Sequence, residues 1–267
     1  MPPYIPQPTI ANLVGIIFGK LKKIVKNIYN VKDKKYRSGF MKIIKTVWYS
    51  LFTYNIDDQE PDTLRFIKDC EKALGMKIDI IQSKEFKAVE EVCRKYKYIN
   101  GPYGAKCTTV LKKQVREKWE RENLQEKPTY IWGYDLSEKN RADRITKNVI
   151  EANHKFPLIE NGLTKEDCHA LLKQLGIKRP RMYELGYHNN NCVGCLKGGK
   201  GYWNKIRQDF PEVFKKRAEL EREVGASCIN GIFLDELDPD AGRNQTEILE
   251  DCSLFCQLIL NDTEVEE

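Results

Sequence analysis

The stretch PDTLRFIKDCEKALGMKIDIIQS, residues 61–83, decides the fold class because a helical pattern passes directly into a strand pattern. The helical pattern rests on four apolar residues: Leu64, Ile67, Ala73 and Leu74. A cap at Asp62 or Thr63 and a stop at Gly75 would bound this helix. KIDIIQS, residues 77–83, then predicts a short buried strand.

The same alternation continues along the chain. A second helix is predicted from about Thr108, and TYIWGYD, residues 129–135, predicts a second strand. LTKEDCHALLKQLGIKRP predicts a helix that is capped at Thr164 and ends at Gly176. Helices that alternate with short apolar strands are typical of a parallel sheet, so the expected fold class is α/β, with helices flanking the sheet.

The character of the sequence changes after Gly186, which predicts a domain boundary near residue 185. Glycine- and asparagine-rich loops, a basic helix over Trp203–Val224 and a cysteine-bearing tail replace the earlier alternation. We therefore expect an N-terminal segment over residues 1–54, an α/β domain over residues 55–185 and a smaller cysteine-bearing region over residues 186–267.

The net charge of +6 is concentrated near the N-terminus. The segment from Lys20 to Lys45 contains ten Lys or Arg residues and one acidic residue, Asp33, so the remainder of the chain is slightly acidic. This basic segment is interpreted either as a solvated helix face or as an arm that binds nucleic acid. A diverged or frameshifted stretch is the third interpretation.

No membrane segment is expected, because the apolar run Leu13–Phe18 is far shorter than the ~20 residues that span a bilayer. The run also lacks the flanks of a signal peptide, which predicts a cytoplasmic protein. Nine cysteines and three histidines then favour a metal site made of thiolates over a disulfide framework.

The stretch NNNCVGCLKGGKGYW, residues 189–203, has three interpretations. As a phosphate-binding loop it lacks the required hydroxyl, because Gly201 follows Lys200. As a redox dithiol it lacks an immediately following helix. As half of a metal site it pairs with DCSLFC near the C-terminus, and the two thiol pairs would bind zinc or an iron–sulfur cluster. The alternative without a metal is that these cysteines are ordinary small apolar residues.

Cys107 enlarges the set of candidate ligands because it stands at the start of a predicted helix, where a thiolate is favoured. The metal-ligand candidates are Cys107, Cys192, Cys195, Cys252 and Cys256. The other four cysteines are interpreted as core or surface thiols: Cys70, Cys93, Cys168 and Cys228.

The loop after TYIWGYD carries charged residues at the position where open parallel sheets bind ligands. Asp135 and Glu138 lie in this loop, and Arg141 and Arg144 follow three residues apart on the next helix. Two arginines at that spacing would hold phosphate or sulfate oxygens. A solvated, salt-bridged helix start explains the same pattern equally well.

Five segments, in order, resemble the phosphoadenosine phosphosulfate (PAPS) reductase family, within the superfamily of N-type ATP pyrophosphatases and adenine nucleotide alpha-hydrolase-like proteins. They are QEPDTLRFI from Gln59, CTTVLKK from Cys107, GYDLSEKNRADRI from Gly133, PLIENGLTKED from Pro157 and GIKRPRMYELGYHNNNCVGCLKGG from Gly176. The likeness covers about residues 55 to 256 and is closest to phage and bacterial PAPS-reductase-like proteins.

The resemblance implies a Rossmann-like α/β domain that binds an adenine nucleotide, PAPS or ATP, with Mg²⁺ as an accompanying ion. The candidate nucleotide-binding residues are Ser38, Gly39, Lys112, Asp135, Arg141 and Arg144. Ser38 and Gly39 stand where a remnant of the family's SGGKDS-like loop would lie, and that loop is otherwise missing from the sequence. A thiol reductant protein is the implied partner.

Some members of that family carry a [4Fe-4S] cluster, and the likeness maps Cys107 to its first ligand and Cys192 and Cys195 to a later pair. A missing ligand would come from Cys252 or Cys256. The family's ECGIH-like tail, which carries a nucleophilic thiol, is absent from this sequence. Cys256 is therefore the one tail thiol that would act as a catalytic nucleophile.

Three functions follow from these patterns. The first is a PAPS-reductase-like enzyme of sulfonucleotide reduction. The second is a nucleotide-dependent sulfur transferase or nucleic-acid-modifying enzyme that uses the same pocket. The third is a non-catalytic binding module, stabilised by its metal, that has lost the nucleotide loop and contacts nucleic acid through the basic segment.

Overall fold

The computed structural model describes residues 3–6, 50–75, 77–102, 104–123, 129–150 and 152–243. Several predicted features lie outside these residues, namely the basic segment between Lys20 and Lys45 and the candidates Ser38, Gly39, Cys252 and Cys256. Within the described ranges, no helix combines the length and apolar character that crossing a membrane requires.

A small parallel sheet carries the described part of the fold. Its strands are β1 (Pro3–Pro6), β2 (Ser50–Tyr54), β3 (Asp79–Ile81), β4 (Thr129–Ile131) and β5 (Asn153–Lys155). Their spatial order is β3-β2-β1-β4-β5, and every neighbouring pair is parallel. The expected combination of helices with a parallel sheet is therefore present.

Helices make up most of the remaining described structure. They are α1 (Asp62–Leu74), α2 (Val89–Tyr96), α3 (Lys106–Thr108), a π-helical turn (Thr109–Lys113), α4 (Gln114–Asn123), a 3-10 turn (Leu136–Glu138), α5 (Lys139–Asn148), α6 (Pro157–Glu160), α7 (Lys165–Gln174), α8 (Arg181–Glu184), α9 (Lys200–Asp209), α10 (Pro211–Val224) and a second 3-10 turn (Leu234–Glu236). Helices α1 and α5 each connect two neighbouring parallel strands, as crossover helices do.

Helix α1 ends as predicted but buries a different face. Gly75 has a φ of 60° and closes the helix in the left-handed conformation. The predicted stripe is wrong in part, because Leu64 is 43% exposed. The buried face comprises Thr63, Phe66, Ile67 and Cys70. Phe66 is buried although the pattern had placed no core residue there, whereas Ile67 is buried as predicted.

Strand β3 was expected to be buried, and that prediction is wrong. Its residues are exposed or half-buried, and Ile80 is 52% exposed. The reason is its place in the sheet, because β3 is an edge strand that pairs only with β2 among the described strands. An apolar run by itself does not distinguish an edge strand from a central one.

The predicted single helix over Trp203–Val224 is two helices. Helix α9 ends at Asp209 and α10 begins at Pro211, whose ring cannot continue the preceding helix. Both helices bury side chains in one hydrophobic cluster that also includes residues before position 185. Members from the two sides include Tyr54, Val92, Leu111, Trp203, Ile206 and Leu220.

Helix α7 carries a buried histidine that we expect to weaken the protein in mild acid. Thr164 caps this helix with Asp167, as predicted, and His169 is 1% exposed. Neither ring nitrogen of His169 has a hydrogen-bond partner among the described residues. Burial, with Arg179, Lys165 and His188 adding to the effect, lowers the pKa of His169 to about 4.

Between pH 6.5 and pH 4 the unfolded chain therefore binds a proton at His169 that the native chain does not bind. The free energy of unfolding should fall as pH falls through this window, by about 3 kcal/mol in total from this group. Urea unfolding of the wild type and of His169→Leu at pH 7.5, 6 and 5 checks this. Equal pH dependence of the two proteins would contradict it.

Candidate thiol and nucleotide site

The loop that carries Cys192 and Cys195 is fixed by one tyrosine. The Tyr202 hydroxyl in the first turn of α9 accepts the Cys195 N–H at 2.8 Å and donates to the Cys192 carbonyl at 3.2 Å. Between the cysteines, Gly194 has a φ of 70°, and a Cβ there would lie 2.7 Å from Val213 Cγ1. Glycine is required at this position by both conformation and space.

Three predicted metal ligands come close enough to affect one another's ionisation. Burial raises the pKa of Cys107, the Cys195 thiol adds to the rise, and Lys112 and Lys197 oppose it. Burial also raises the pKa of Cys192 to about 11, against the opposing charge of Lys112. Without a bound cation the thiols of Cys107 and Cys192 stay protonated near neutral pH, because burial disfavours the thiolate.

The thiols supply the right donor atom, sulfur, for a thiolate metal site, but too few of them are described to complete one. Across the described ranges, no set of three His, Cys, Asp or Glu side chains is arranged to hold a metal ion. Cys252 and Cys256, which would supply the further ligand, lie outside the described residues. Zinc and iron–sulfur clusters both take cysteine sulfur, so the donor type suits either.

Among the predicted nucleotide-binding residues that the structure describes, Lys112 is the one that lies beside the thiols. It stands in the π-helical turn Thr109–Lys113, which follows α3 directly and buries Val110 and Leu111. Its charge acts on both Cys107 and Cys192. Single π-helical turns inside helices occur frequently at functional sites.

Asp58, which follows β2, joins the sheet edge to the cysteine loop. Its carbonyl accepts the Val193 N–H at 2.8 Å, and its Oδ2 accepts the Val89 N–H at the start of α2 at 2.6 Å. Its Oδ1 pairs with Arg217, whose side chain is 2% exposed. The sequence patterns predicted no role for Asp58 or Arg217.

The loop after β4 and helix α5 hold the other predicted nucleotide-binding residues that the structure describes. Asp135 is 3% exposed and accepts hydrogen bonds from both the backbone N–H and the hydroxyl of Ser137. Arg141 is exposed, pairs with Glu138 at 2.8 Å and lies over the Tyr134 ring at 4.6 Å. Arg144 is exposed and makes no ion pair with any described residue.

Lys165 connects this loop to the segment that precedes the cysteines. Its Nζ donates to the His188 carbonyl and to Asn189 Oδ1, both at 2.9 Å. Burial lowers the pKa of Lys165, while Asp135 and Glu138 oppose the shift. The half-buried Lys165 is therefore hydrogen-bonded to the residues before Cys192 and is close enough to Asp135 and Glu138 for their charges to act on it.

The four cysteines predicted to be ordinary thiols are all buried: Cys70, Cys93, Cys168 and Cys228. Burial raises the pKa of each of them. They behave as small apolar residues of the core, which confirms that prediction.

The chain is similar to two uncharacterized proteins. It is 25% identical over 171 residues to one from Methanocaldococcus jannaschii, covering 61% of this chain and 34% of that protein. It is 32% identical over 89 residues to one from Escherichia phage 186, covering 32% of this chain and 27% of that protein. The chain thus spans about a third or less of each relative's length. No protein-family model and no solved structure matches it.

Proposed function

We propose that the chain is a PAPS-reductase-like protein that binds an adenine nucleotide, PAPS or ATP. Its activity would be sulfonucleotide reduction or nucleotide-dependent sulfur transfer. The strand order of the sheet is the observation that carries the proposal, and the side chains at its carboxyl edge supply the chemistry.

The order β3-β2-β1-β4-β5, with every pair parallel, is the one found in dinucleotide-binding α/β folds. In that Rossmann-like arrangement the strand order reverses between β1 and β4, and ligands bind outside the carboxyl ends of those strands. The loop after β4 carries Asp135, with Arg141 and Arg144 on the helix that follows. This combination favours a phosphate- or sulfate-bearing ligand.

Both arginines would bind the anionic oxygens of the ligand. Arg141 is held in place by Glu138 and by the ring of Tyr134, so its guanidinium is already oriented. Arg144 keeps its charge available to a ligand, since no described residue pairs with it. A guanidinium offers two parallel N–H groups to phosphate or sulfate, which gives orientation as well as attraction.

The cysteine half of the site would be completed by the C-terminal tail. The backbone of Arg243 packs against Gly201, one residue before the Tyr202 that holds the cysteine loop. Cys252 lies nine positions after Arg243, a length of chain that reaches ~30 Å when extended. A metal bound there would supply the positive charge that keeps the buried thiolates ionised.

Reduction of the sulfo group of PAPS to sulfite consumes two electrons, which two thiols supply by forming a disulfide. The chain would draw them from a thiol reductant protein, and Cys256 is the tail thiol available for attack on sulfur. Lys112, beside Cys107 and Cys192, would attract the anionic group toward the thiols.

Turnover tests the proposal. Anaerobically purified full chain is assayed for sulfite release from PAPS with a dithiol, and for pyrophosphate release from ATP with Mg²⁺. Arg144→Ala should lower kcat/KM by about tenfold or more, because a charged contact contributes roughly 1.5–3 kcal/mol. Lys147→Ala, with the same charge change one turn further along α5, should not. Absence of turnover with both PAPS and ATP would contradict the proposal.

A further inference from the structure

The two cysteines of the loop before α9 are the ends of one tight turn. Val193 and Gly194 are its central residues, and Gly194 has a φ of 70°, close to the value that the third residue of a type II turn takes. The Cα atoms at the two ends of such a turn lie less than about 7 Å apart. Disulfides join residues whose Cα atoms are about 4.4–6.8 Å apart. The turn therefore places Cys192 and Cys195 at a separation that a disulfide spans.

A tyrosine hydroxyl bridges the two ends of this turn. Tyr202 donates to the Cys192 carbonyl at 3.2 Å and accepts the N–H of Cys195 at 2.8 Å. These are the two backbone groups that bond directly to each other in a closed turn, and here the hydroxyl links them. Tyr202 is 9% exposed. The spacing of the two cysteines is therefore fixed by a buried group.

The inner backbone groups of the turn are held by other parts of the fold. The Asp58 carbonyl accepts the N–H of Val193 at 2.8 Å, and Nε of Arg217 donates to the Gly194 carbonyl at 3.3 Å. Arg217 is 2% exposed, and it pairs with the carboxylates of Asp58 and Glu90. Hydrogen bonds from three separate segments of the chain therefore hold the backbone between the two cysteines before any reaction takes place.

The two thiols differ in exposure, and they are near each other. Cys195 is half-buried, whereas Cys192 is 8% exposed, so a reagent in solution would meet Cys195 first. Both are free thiols, and the charge of Cys195 is close enough to act on Cys192. Two thiols are enough for a disulfide, whereas a metal ion needs more ligands than the described residues bring together here.

The site differs from Cys-x-x-Cys motifs in which a helix start activates the first thiol. Helix α9 begins at Lys200, five residues after Cys195, so its N-terminus is not at the thiol. The feature that favours a disulfide in this chain is the held geometry of the turn.

We propose that Cys192 and Cys195 form a site of thiol–disulfide exchange, which a small disulfide of the glutathione type oxidises to an intramolecular disulfide. The Cys195 sulfur attacks one sulfur of the small disulfide, which forms a mixed disulfide and releases the first thiol. The Cys192 sulfur then attacks the Cys195 sulfur and releases the second thiol. The protein gives up two electrons and two thiol protons, which the two released thiols carry. The site goes beyond the proposed function, because neither a nucleotide nor a metal takes part.

Equilibration of the full chain with reduced and oxidised glutathione, after a chelator has removed any metal, tests the proposal. Peptide mapping measures the Cys192–Cys195 disulfide in native buffer and in concentrated urea, where the turn is not held. The equilibrium constant for its formation should be about tenfold or more larger in the native chain, because held ends raise the effective concentration of the thiols. An equal or smaller constant in the native chain would overturn the proposal.

Cys107 is the competing partner, because its thiol lies near both cysteines of the turn. Peptide mapping of the oxidised native chain distinguishes the pairings. A disulfide from Cys107 to either cysteine, formed in place of the one across the turn, would also overturn the proposal.

The order of the two steps is tested by removing each thiol. Cys192→Ser lacks the second thiol, so it should stop at the mixed disulfide and carry one glutathione at Cys195. Cys195→Ser should react far more slowly, because its remaining thiol in the turn is buried. The reverse pattern would contradict attack by Cys195.

Gly194→Ala tests the role of the turn itself. Gly194 has a positive φ, and a Cβ there would lie 2.7 Å from Val213 Cγ1, so the turn must move. The equilibrium constant of the native variant should fall about tenfold, toward the value in urea. Gly199→Ala, whose Cβ would meet nothing within 4 Å, should keep the wild-type constant. Equal constants in the two folded variants would contradict the proposal, and the comparison with urea decides it if Gly194→Ala does not fold.

Discussion

If the proposed thiol site binds a metal, Cys195→Ser should leave the chain folded and abolish metal binding. Cys195 is only half-buried, and a hydroxyl in place of its thiol disturbs little packing. A serine oxygen is a poor substitute for thiolate at a zinc or iron–sulfur site. Co²⁺ affinity should therefore fall by more than the ~100-fold that loss of an outer partner produces. Metal analysis and absorption of the anaerobically purified protein measure this.

Cys70→Ser is the matched control for that experiment. Cys70 is buried in α1, and the charges that act on its pKa are those of Asp69 and Arg65, not those of the thiol site. It should lower stability through the buried hydroxyl and leave metal content unchanged. Equal metal content in the wild type and in Cys195→Ser would contradict the thiol site.

Gly201→Ala should destabilise the chain and weaken metal binding together. A Cβ at Gly201 would lie 2.0 Å from the carbonyl oxygen of Arg243. That oxygen belongs to the backbone, so no side-chain rotation relieves the clash and the segment leading into the tail must move. We expect a loss of about 1–3 kcal/mol in the free energy of unfolding. Co²⁺ affinity should fall as well, if Cys252 or Cys256 is a ligand.

Gly199→Ala is the control that shows whether any alanine near the start of α9 lowers stability and Co²⁺ affinity. Gly199 lies two residues earlier, and a Cβ there would meet nothing within 4 Å. In thermal unfolding and Co²⁺ titration, Gly201→Ala should therefore be less stable and bind Co²⁺ more weakly than Gly199→Ala. If Gly201→Ala retains the stability and metal affinity of Gly199→Ala, the tail does not enter the site by this route.

Local signals predicted the C-terminal end of α1 and the N-cap of α7 correctly because they depend on neighbouring residues, whereas the N-cap of α1 is Pro61 and not the predicted Asp62 or Thr63. Gly75 ends α1 in the left-handed conformation, and Thr164 caps α7 together with Asp167. Burial depends on distant residues and was harder to predict. Ile80 lies in an apolar run that predicts a buried strand, yet it is exposed because its strand is at the edge of the sheet.

The Arg217 network was missed for a similar reason. Its partners, Asp58 and Glu90, precede it by more than 120 residues, and no local pattern links them. One signal was present in the sequence. Arg217 follows Val213 by four residues and precedes Leu220 by three, so it occupies the apolar stripe of α10. A charge on such a stripe indicates a buried ion pair.

The metal candidates were predictable as a set, whereas the arrangement of the site was not. Sequence spacing singled out Cys192 and Cys195, but the charge of Lys112 beside them depends on a π-helical turn that no pattern predicted. The position of Asp135 after a strand was predictable from the sequence, and the structure places it directly after β4, a strand of the parallel sheet.

The most direct test of the account is a calorimetric titration of the anaerobically purified full chain with PAPS and, separately, with ATP and Mg²⁺. The account predicts saturable binding of at least one of them that is weakened in Arg144→Ala and retained in Lys147→Ala. Absence of binding by either nucleotide, in folded protein with its full metal content, would contradict it and favour a non-catalytic, metal-stabilised module.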